Sequence, residues 1–187
     1  KVLDHINFNL TKGEFIGVIG ESGSGKTTLI DIILGLLKPN KHDHQILLNS
    51  KPLWSQISDW HNIIAYIPQN IFLIDDTVKQ NIVLESDDSK INYTNLKDAI
   101  KTSQLEKMID QLENGIETYV GDNGVRLSGG QRQRIILARA LYHQKEIIIF
   151  DEATSSLDAE TEKSVMDVIY QFKGKKTVIL ISHKINI

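Results

Sequence analysis

Gly20-Glu21-Ser22-Gly23-Ser24-Gly25-Lys26-Thr27 fits the pattern G-x-x-x-x-G-K-[ST], and its flanks decide how it is read. Before it, Glu14–Ile19 is an apolar run that predicts a strand. After it, a helix is predicted from about Gly25 to Leu36, with Leu29, Ile32, Ile33 and Leu36 as the buried stripe and Pro39 as the stop. A glycine-rich turn between strand and helix lets backbone N–H groups converge on an anion, and the helix N-terminus adds partial positive charge. Lys26 is then placed to reach the β- and γ-phosphates of a nucleotide, and Thr27 to offer its hydroxyl to Mg²⁺. A merely flexible Gly/Ser loop is the plain alternative, and it does not account for the strand and helix on either side.

Outward from this loop, Glu146-Ile147-Ile148-Ile149-Phe150-Asp151-Glu152 is an apolar strand ending in two carboxylates. Burying such a strand holds its terminal acids at the edge where open α/β sheets bind ligands. Asp151 is the candidate to hold Mg²⁺ and Glu152 the candidate to polarise an attacking water. An acid pair stabilising a helix N-terminus is the alternative, which loses weight beside a complete phosphate loop.

The remaining elements follow from periodicity. Val2–Leu10 alternates, with Ile6, Phe8 and Leu10 on one face, and Thr11-Lys12-Gly13 turns the chain. Gln45–Leu48 and Ile63–Ile67 predict short strands around a loop carrying Trp54 and Trp60. A polar, helical insertion begins near Ile71, with amphipathic segments at Leu96–Thr102 and Leu105–Leu112. Helix 129–142, strand 147–150, helix 159–172 and strand 177–181 complete the pattern. Apolar strands followed by helices imply a parallel sheet covered on both faces.

Composition bounds the remainder. The 187 residues are 41% hydrophobic and 24% charged, with 12 Gly and 3 Pro, which excludes disorder and collagen-like repeats. Cysteine is absent, so thiol catalysis, Cys-ligated zinc and disulfides are excluded for this stretch. A formal net charge of −3 gives no overall field for nucleic acid. Apolar runs such as Ile147–Phe150 and Val178–Ile181 are four residues long, against about 20 for a membrane span, and the opening residues are not expected to be a signal peptide.

Leu127-Ser128-Gly129-Gly130-Gln131 opens a second helix with a hydroxyl and two glycine N–H groups, a second anion site. Two such sites far apart in one chain have a use if each closes over the other subunit's nucleotide in a head-to-tail dimer. Here the sequence resembles the nucleotide-binding domain of ATP-binding cassette (ABC) transporters over essentially its whole length. Leu127–Gln131 resembles that family's signature motif, Gly20–Thr27 its Walker A and Ile147–Glu152 its Walker B. Gln69, after Ile67-Pro68, resembles the Q-loop glutamine; Ser155-Ser156-Leu157-Asp158 resembles the D-loop; and His183 resembles the H-loop histidine that contacts the γ-phosphate.

The resemblance implies an α/β P-loop NTPase: a RecA-like parallel core sheet flanked by helices, an N-terminal antiparallel β portion, and a helical subdomain at about 71–137 within a single domain. It implies ATP and Mg²⁺ as ligands. Gly20, Glu21, Ser22, Gly23, Ser24, Gly25, Lys26, Thr27, Thr28, Gln69, Ser128, Gly129, Gly130, Gln131, Asp158 and His183 would touch the nucleotide. Thr27, Gln69 and Asp151 would serve the metal, and Glu152, His183, Gln69 and Lys26 the hydrolysis.

Two segments resemble the exporter form of the family: Pro68–Ile82 around the Q-loop, and Thr118-Tyr119-Val120-Gly121-Asp122-Asn123-Gly124, the X-loop that meets the coupling helices of a membrane domain. Asp122 and Asn123 stand where the family usually has Glu and Arg, and Asn40–Gln45 lacks its usual Ser-Gly-Glu. An aromatic that stacks on adenine is expected upstream of Lys1, and roughly 40 to 60 further residues after the H-loop, so the chain is expected to be truncated at both ends. The implied partners are a second nucleotide-binding domain and transmembrane domains, at the cytoplasmic face of the inner membrane. Leu29–Leu37 resembles bacterial flippases for lipid-linked oligosaccharides, which implies a lipid-class cargo.

Competing readings are weaker. Asn40-Lys41-His42-Asp43 spells a guanine-reading N-K-x-D, but it lies just past the loop helix and no D-x-x-G occurs. His42-Asp43-His44 offers no further metal ligand, and Asn9-Leu10-Thr11 and Asn92-Tyr93-Thr94 are glycosylation patterns only. Trp54 and Trp60 are expected to anchor their loop, and Arg126, Arg132, Arg134 and Arg139 to pair with acids or line the nucleotide interface rather than bind nucleic acid. A soluble ABC ATPase acting on DNA or ribosomes is the main alternative function; the interval of 102 residues from Lys26 to Ser128 holds no heptad run for a repair-type coiled coil. A small-molecule kinase has no use for Leu127–Gln131.

Overall fold

A computed structural model describes residues 3–39, 45–154 and 157–182. Four strands, β1 (Phe15–Ile19), β4 (Ile64–Ile67), β5 (Ile147–Asp151) and β6 (Thr177–Ser182), form a parallel sheet in the order β1-β6-β5-β4. A two-residue antiparallel pair, β2 (Leu47–Leu48) with β3 (Lys51–Pro52), stands apart from it. The helices are α1 (Lys26–Ile33), α2 (Ile57–Ile63), α3 (Val78–Val83), α4 (Tyr93–Thr102), α5 (Glu106–Asp110), α6 (Gly129–Tyr142) and α7 (Ala159–Tyr170). No helix among the described residues is long and apolar enough to cross a membrane.

Strand alternation sorts the core onto two faces. Ile148 and Phe150 of β5, with Val178 and Leu180 of β6, join a cluster supplied by α3, α4, α6 and α7. Ile149, Ile179 and Ile181 face the other way, onto Ile30 and Leu34 near α1 and onto Trp60 of α2. Period-2 strands with both faces apolar therefore give the continuous isoleucine-rich runs seen in the sequence.

Three sequence expectations are corrected. The alternating segment at the start of the chain forms no strand among the described residues, and Ile6 and Phe8 are half-exposed. Alternation alone does not make a strand, because the backbone needs a neighbouring ladder for its N–H and C=O groups. The expected antiparallel β portion is present as β2–β3. Helix α1 ends before Pro39: Gly35 takes φ 75°, its N–H reaches Ile32 O and Leu36 N–H reaches Asp31 O, a glycine-terminated helix end. Ile30 of the helix and Leu34 just after it are buried, while Leu36 lies exposed beyond the glycine. The segment expected as a loop after residue 48 contains β3, a 3₁₀ turn and α2. Trp60 is buried there, and its indole N–H donates to Ile33 O at 2.8 Å, the loop-anchoring role expected of it.

Helices α3 and α4 pack on α6. Asn81, fully buried on α3, accepts from Ile74 N–H at 2.9 Å and donates to Ile74 O and Thr77 O, each at 3.0 Å. One amide thus satisfies the turn that leads from Gln69 into α3. A bridge between Thr77 and Tyr119, with Leu73 N–H donating to Asn123 Oδ1, joins that turn to residues 118–124.

Candidate active site

All four sheet strands point the same way, so their C-terminal ends share one edge. β1 runs into Gly20, β4 into Pro68-Gln69, and β5 ends at Asp151 beside Glu152. A cavity of about 310 Å³ opens at this edge, and Gly25, Lys26, Thr27, Gln69, Asp151 and Glu152 are among its lining residues, with Ser22, Gly23 and Thr28. Residues from three separate motifs thus meet because the strands are parallel. β6 ends at Ser182, and His183 lies outside the described residues, as do Ser155 and Ser156.

The loop is shaped by its glycines at two points. Gly25 caps α1 with φ 97°, a left-handed conformation that costs other residues. Gly20 lies so close to Ser24 that an added Cβ would sit 2.6 Å from Ser24 Oγ. Lys26 folds back into the concavity: its ammonium donates to Gly20 O at 2.8 Å and Glu21 O at 2.9 Å, and lies 3.7 Å from Glu152 Oε1. Glu152 itself has φ 49°, uncommon for a side-chain-bearing residue, and its N–H continues the ladder to Ile181 O at 3.0 Å. The carboxylate is therefore presented from a turn that the sheet holds in place.

Asp151 is half-buried, and burial pushes its carboxyl above the usual range, with the Tyr66 hydrogen bond pulling the other way and the nearby Glu152 charge adding to the rise. Tyr66 donates its hydroxyl to Asp151 Oδ2 at 2.8 Å, and burial, followed by this bond, raises the phenol's own value. Sequence reasoning missed Tyr66. The Thr27 hydroxyl, the Gln69 amide and the Asp151 carboxylate are hard oxygen donors in one cavity, and they include a single carboxylate. That set fits Mg²⁺, which favours one or two carboxylates plus substrate phosphates and waters over an all-protein cage. Among the described residues no cluster of three or more His, Cys, Asp or Glu offers such a cage.

The residues of the second anion site do not line this cavity. Ser128 caps α6: its Oγ accepts from Gln131 N–H at 3.3 Å, while Gln131 Oε1 accepts from Ser128 N–H at 2.8 Å. This reciprocal capping box is a structural use of both residues that the sequence reading did not include. Gly130 lets α6 approach α7, since a Cβ there would sit 2.3 Å from Thr161 Cγ2. Asp158 caps α7 through Thr161 N–H at 3.0 Å. Gln133, buried on α6, donates to the carbonyl of Ala153, so α6 is tied to the backbone next to Glu152. Of the arginines, Arg134 reaches Gln104 O and Ser164 Oγ, and Arg139 reaches Asn81 O, so both bind within the fold.

A family model described as "ABC transporter" matches residues 3–155. The chain is 36% identical over 186 residues to an ATP-dependent lipid A-core flippase of Ralstonia nicotianae, covering 98% of this chain and 31% of that protein. It is 32% identical over 185 residues to a protein of the same description from Vibrio parahaemolyticus, again covering 98% and 31%. Its fold superposes with a TM-score of 0.86, at 28% identity, on a bacterial Atm1-family ABC exporter with ATP bound, covering 98% of this chain and 32% of that one. The chain spans about a third of the length of the curated relatives it matches.

Proposed function

This chain belongs to the ABC transporter family, and on that premise we propose that it is the ATP-hydrolysing motor of an exporter, working as a pair around two MgATP. The observation that carries the proposal is the division of the motifs. Lys26, Gln69, Asp151 and Glu152 share one cavity, whereas Ser128 stands exposed outside it. An exposed hydroxyl at a helix N-terminus that is not among the described lining residues of this cavity has a use if it closes over the nucleotide of a second copy.

In this reading the Gly20–Thr28 backbone and Lys26 hold the phosphates, and Lys26 exchanges its contacts with the Gly20 and Glu21 carbonyls for phosphate oxygens. Thr27, Asp151 and Gln69 would hold Mg²⁺, which when bound would neutralise charge on the nucleotide phosphates. Glu152 orients the attacking water and His183 contacts the γ-phosphate. Positioning and charge neutralisation supply most of the acceleration, as for phosphoryl transfer in general. The turn that follows Gln69, which Leu73 and Thr77 tie to Asn123 and Tyr119, would carry the change to transmembrane domains at the cytoplasmic face of the membrane. The flippase relatives favour a lipid-class cargo, and they favour an exporter over a DNA- or ribosome-directed ATPase.

Turnover and nucleotide binding by the full-length protein test this. Glu152→Gln retains ATP and loses turnover, and Ser128→Arg loses turnover with Lys26 and Glu152 intact. Wild-type turnover in Ser128→Arg would remove the shared site, and wild-type turnover in Glu152→Gln would remove that residue's role.

A further inference from the structure

The strand register places Tyr66 of β4 opposite Ile149 of β5, and Asp151 follows Ile149 by two residues on the same face of the sheet. Tyrosine and aspartate are thus diagonal neighbours across adjacent strands, within reach of a long side chain. The phenol hydroxyl lies 2.8 Å from Asp151 Oδ2. We propose that Tyr66 is a positioning residue for the metal site, fixing the Asp151 carboxylate by one oxygen so that the other is presented to Mg²⁺ or its bound water. The proposal rests on the reading of Asp151 as a magnesium-holding residue.

Burial alone does not explain the residue. Tyr66 sits on the edge strand of the sheet and is 38% exposed, so a leucine or phenylalanine would cover the same neighbours. What tyrosine adds is a hydroxyl, directed at a carboxylate on the rim of the cavity. An aspartate's terminal torsion is broad and roughly two-fold, so an unsupported carboxylate samples orientations that a metal must then select. A hydrogen bond to one oxygen settles the orientation beforehand. Groups that orient metal ligands in this way typically change metal affinity or activity by 10- to 100-fold when removed.

Tyr66→Phe deletes the hydroxyl and keeps the ring. In the full-length protein carrying Glu152→Gln, Mn²⁺ binding in the presence of ATP, followed by electron paramagnetic resonance, is expected to weaken by about 10-fold. ATP binding in EDTA and the melting temperature stay at the parent values. In the background without Glu152→Gln, turnover by Tyr66→Phe recovers as Mg²⁺ is raised. Unchanged Mn²⁺ affinity overturns the proposal. Equal losses of Mn²⁺ and metal-free ATP binding with a lower melting temperature also overturn it, by giving Tyr66 a purely structural role. Asp151→Asn separates the two levels. If it abolishes Mn²⁺ binding while Tyr66→Phe leaves it intact, only the positioning role falls. If Asp151→Asn leaves binding intact, the metal reading of Asp151 falls and the proposal with it.

Discussion

The Lys26 ammonium lies 3.7 Å from Glu152 Oε1, and both side chains are nearly buried, at 9% and 13% exposure. A cation and an anion held this close in a partly desolvated cleft are coupled, and removing one leaves the other's charge poorly compensated. Lys26→Met is therefore expected to lower the melting temperature, and Glu152→Gln in the same chain to restore part of the loss. A double-mutant cycle of thermal unfolding should give a coupling of about 0.5–3 kcal/mol. An additive cycle would mean that solvent screens the pair.

The capping box at α6 lets stability be separated from the proposed contact with a second copy. Ser128→Ala removes the acceptor for Gln131 N–H and should cost about 1 kcal/mol. Ser128→Asp preserves a good cap and brings a negative charge to a loop proposed to face phosphate. Its melting temperature should stay near wild type while ATP turnover is lost. Retained turnover in Ser128→Asp would count against phosphate contact at this loop.

At the crossing of α6 and α7, Gly130 leaves no room for a methyl group beside Thr161 Cγ2. Gly130→Ala should cost about 1–3 kcal/mol through overpacking. Thr161→Ser deletes the opposing methyl while leaving the backbone N–H that Asp158 caps, so the double variant should recover stability. Failure of Thr161→Ser to rescue would locate the cost elsewhere in the helix pair.

Asn81 makes three hydrogen bonds to the turn between Gln69 and α3, and two of them are donated to carbonyls. Asn81→Asp has the same shape but sets a buried carboxylate against Ile74 O and Thr77 O. A loss of about 3 kcal/mol or more is expected, with faster amide hydrogen exchange across residues 70–77. Wild-type exchange in that turn would show that Asn81 does not hold it.

Stability should also fall in mild acid through His143. Burial, with Lys145 and Arg139 nearby, holds its imidazole below the ordinary value of 6.5, against a weaker upward pull from Val83's backbone. A histidine whose folded value is depressed binds its proton more readily when unfolded, so its contribution is present above about pH 6.5 and is lost as pH falls through the folded value. His143→Gln should flatten the fall in melting temperature between pH 7 and pH 5. An unchanged slope would assign it to other groups.

Which residues stand at the strand ends was legible locally. A glycine-rich turn before Lys26-Thr27, and apolar runs ending at Gln69 and Asp151-Glu152, specify what stands at the sheet edge once each run is buried. They do so because backbone conformation and strand burial are written locally. The helix at 129–142 was legible with its bounds, and the one expected at 159–172 ends at Tyr170. Register and azimuth, by contrast, follow from long-range packing. Tyr66 meets Asp151 because β4 pairs with β5 in one alignment, and a slip of one residue would turn the ring to the other face. Likewise Ile30 of α1 and Leu34 just after it, rather than Leu36, were buried, since Gly35 ended the helix first and α2 brought Trp60 against them. Register and azimuth are chosen by partners distant along the chain, and no local window contains both members of such a pair.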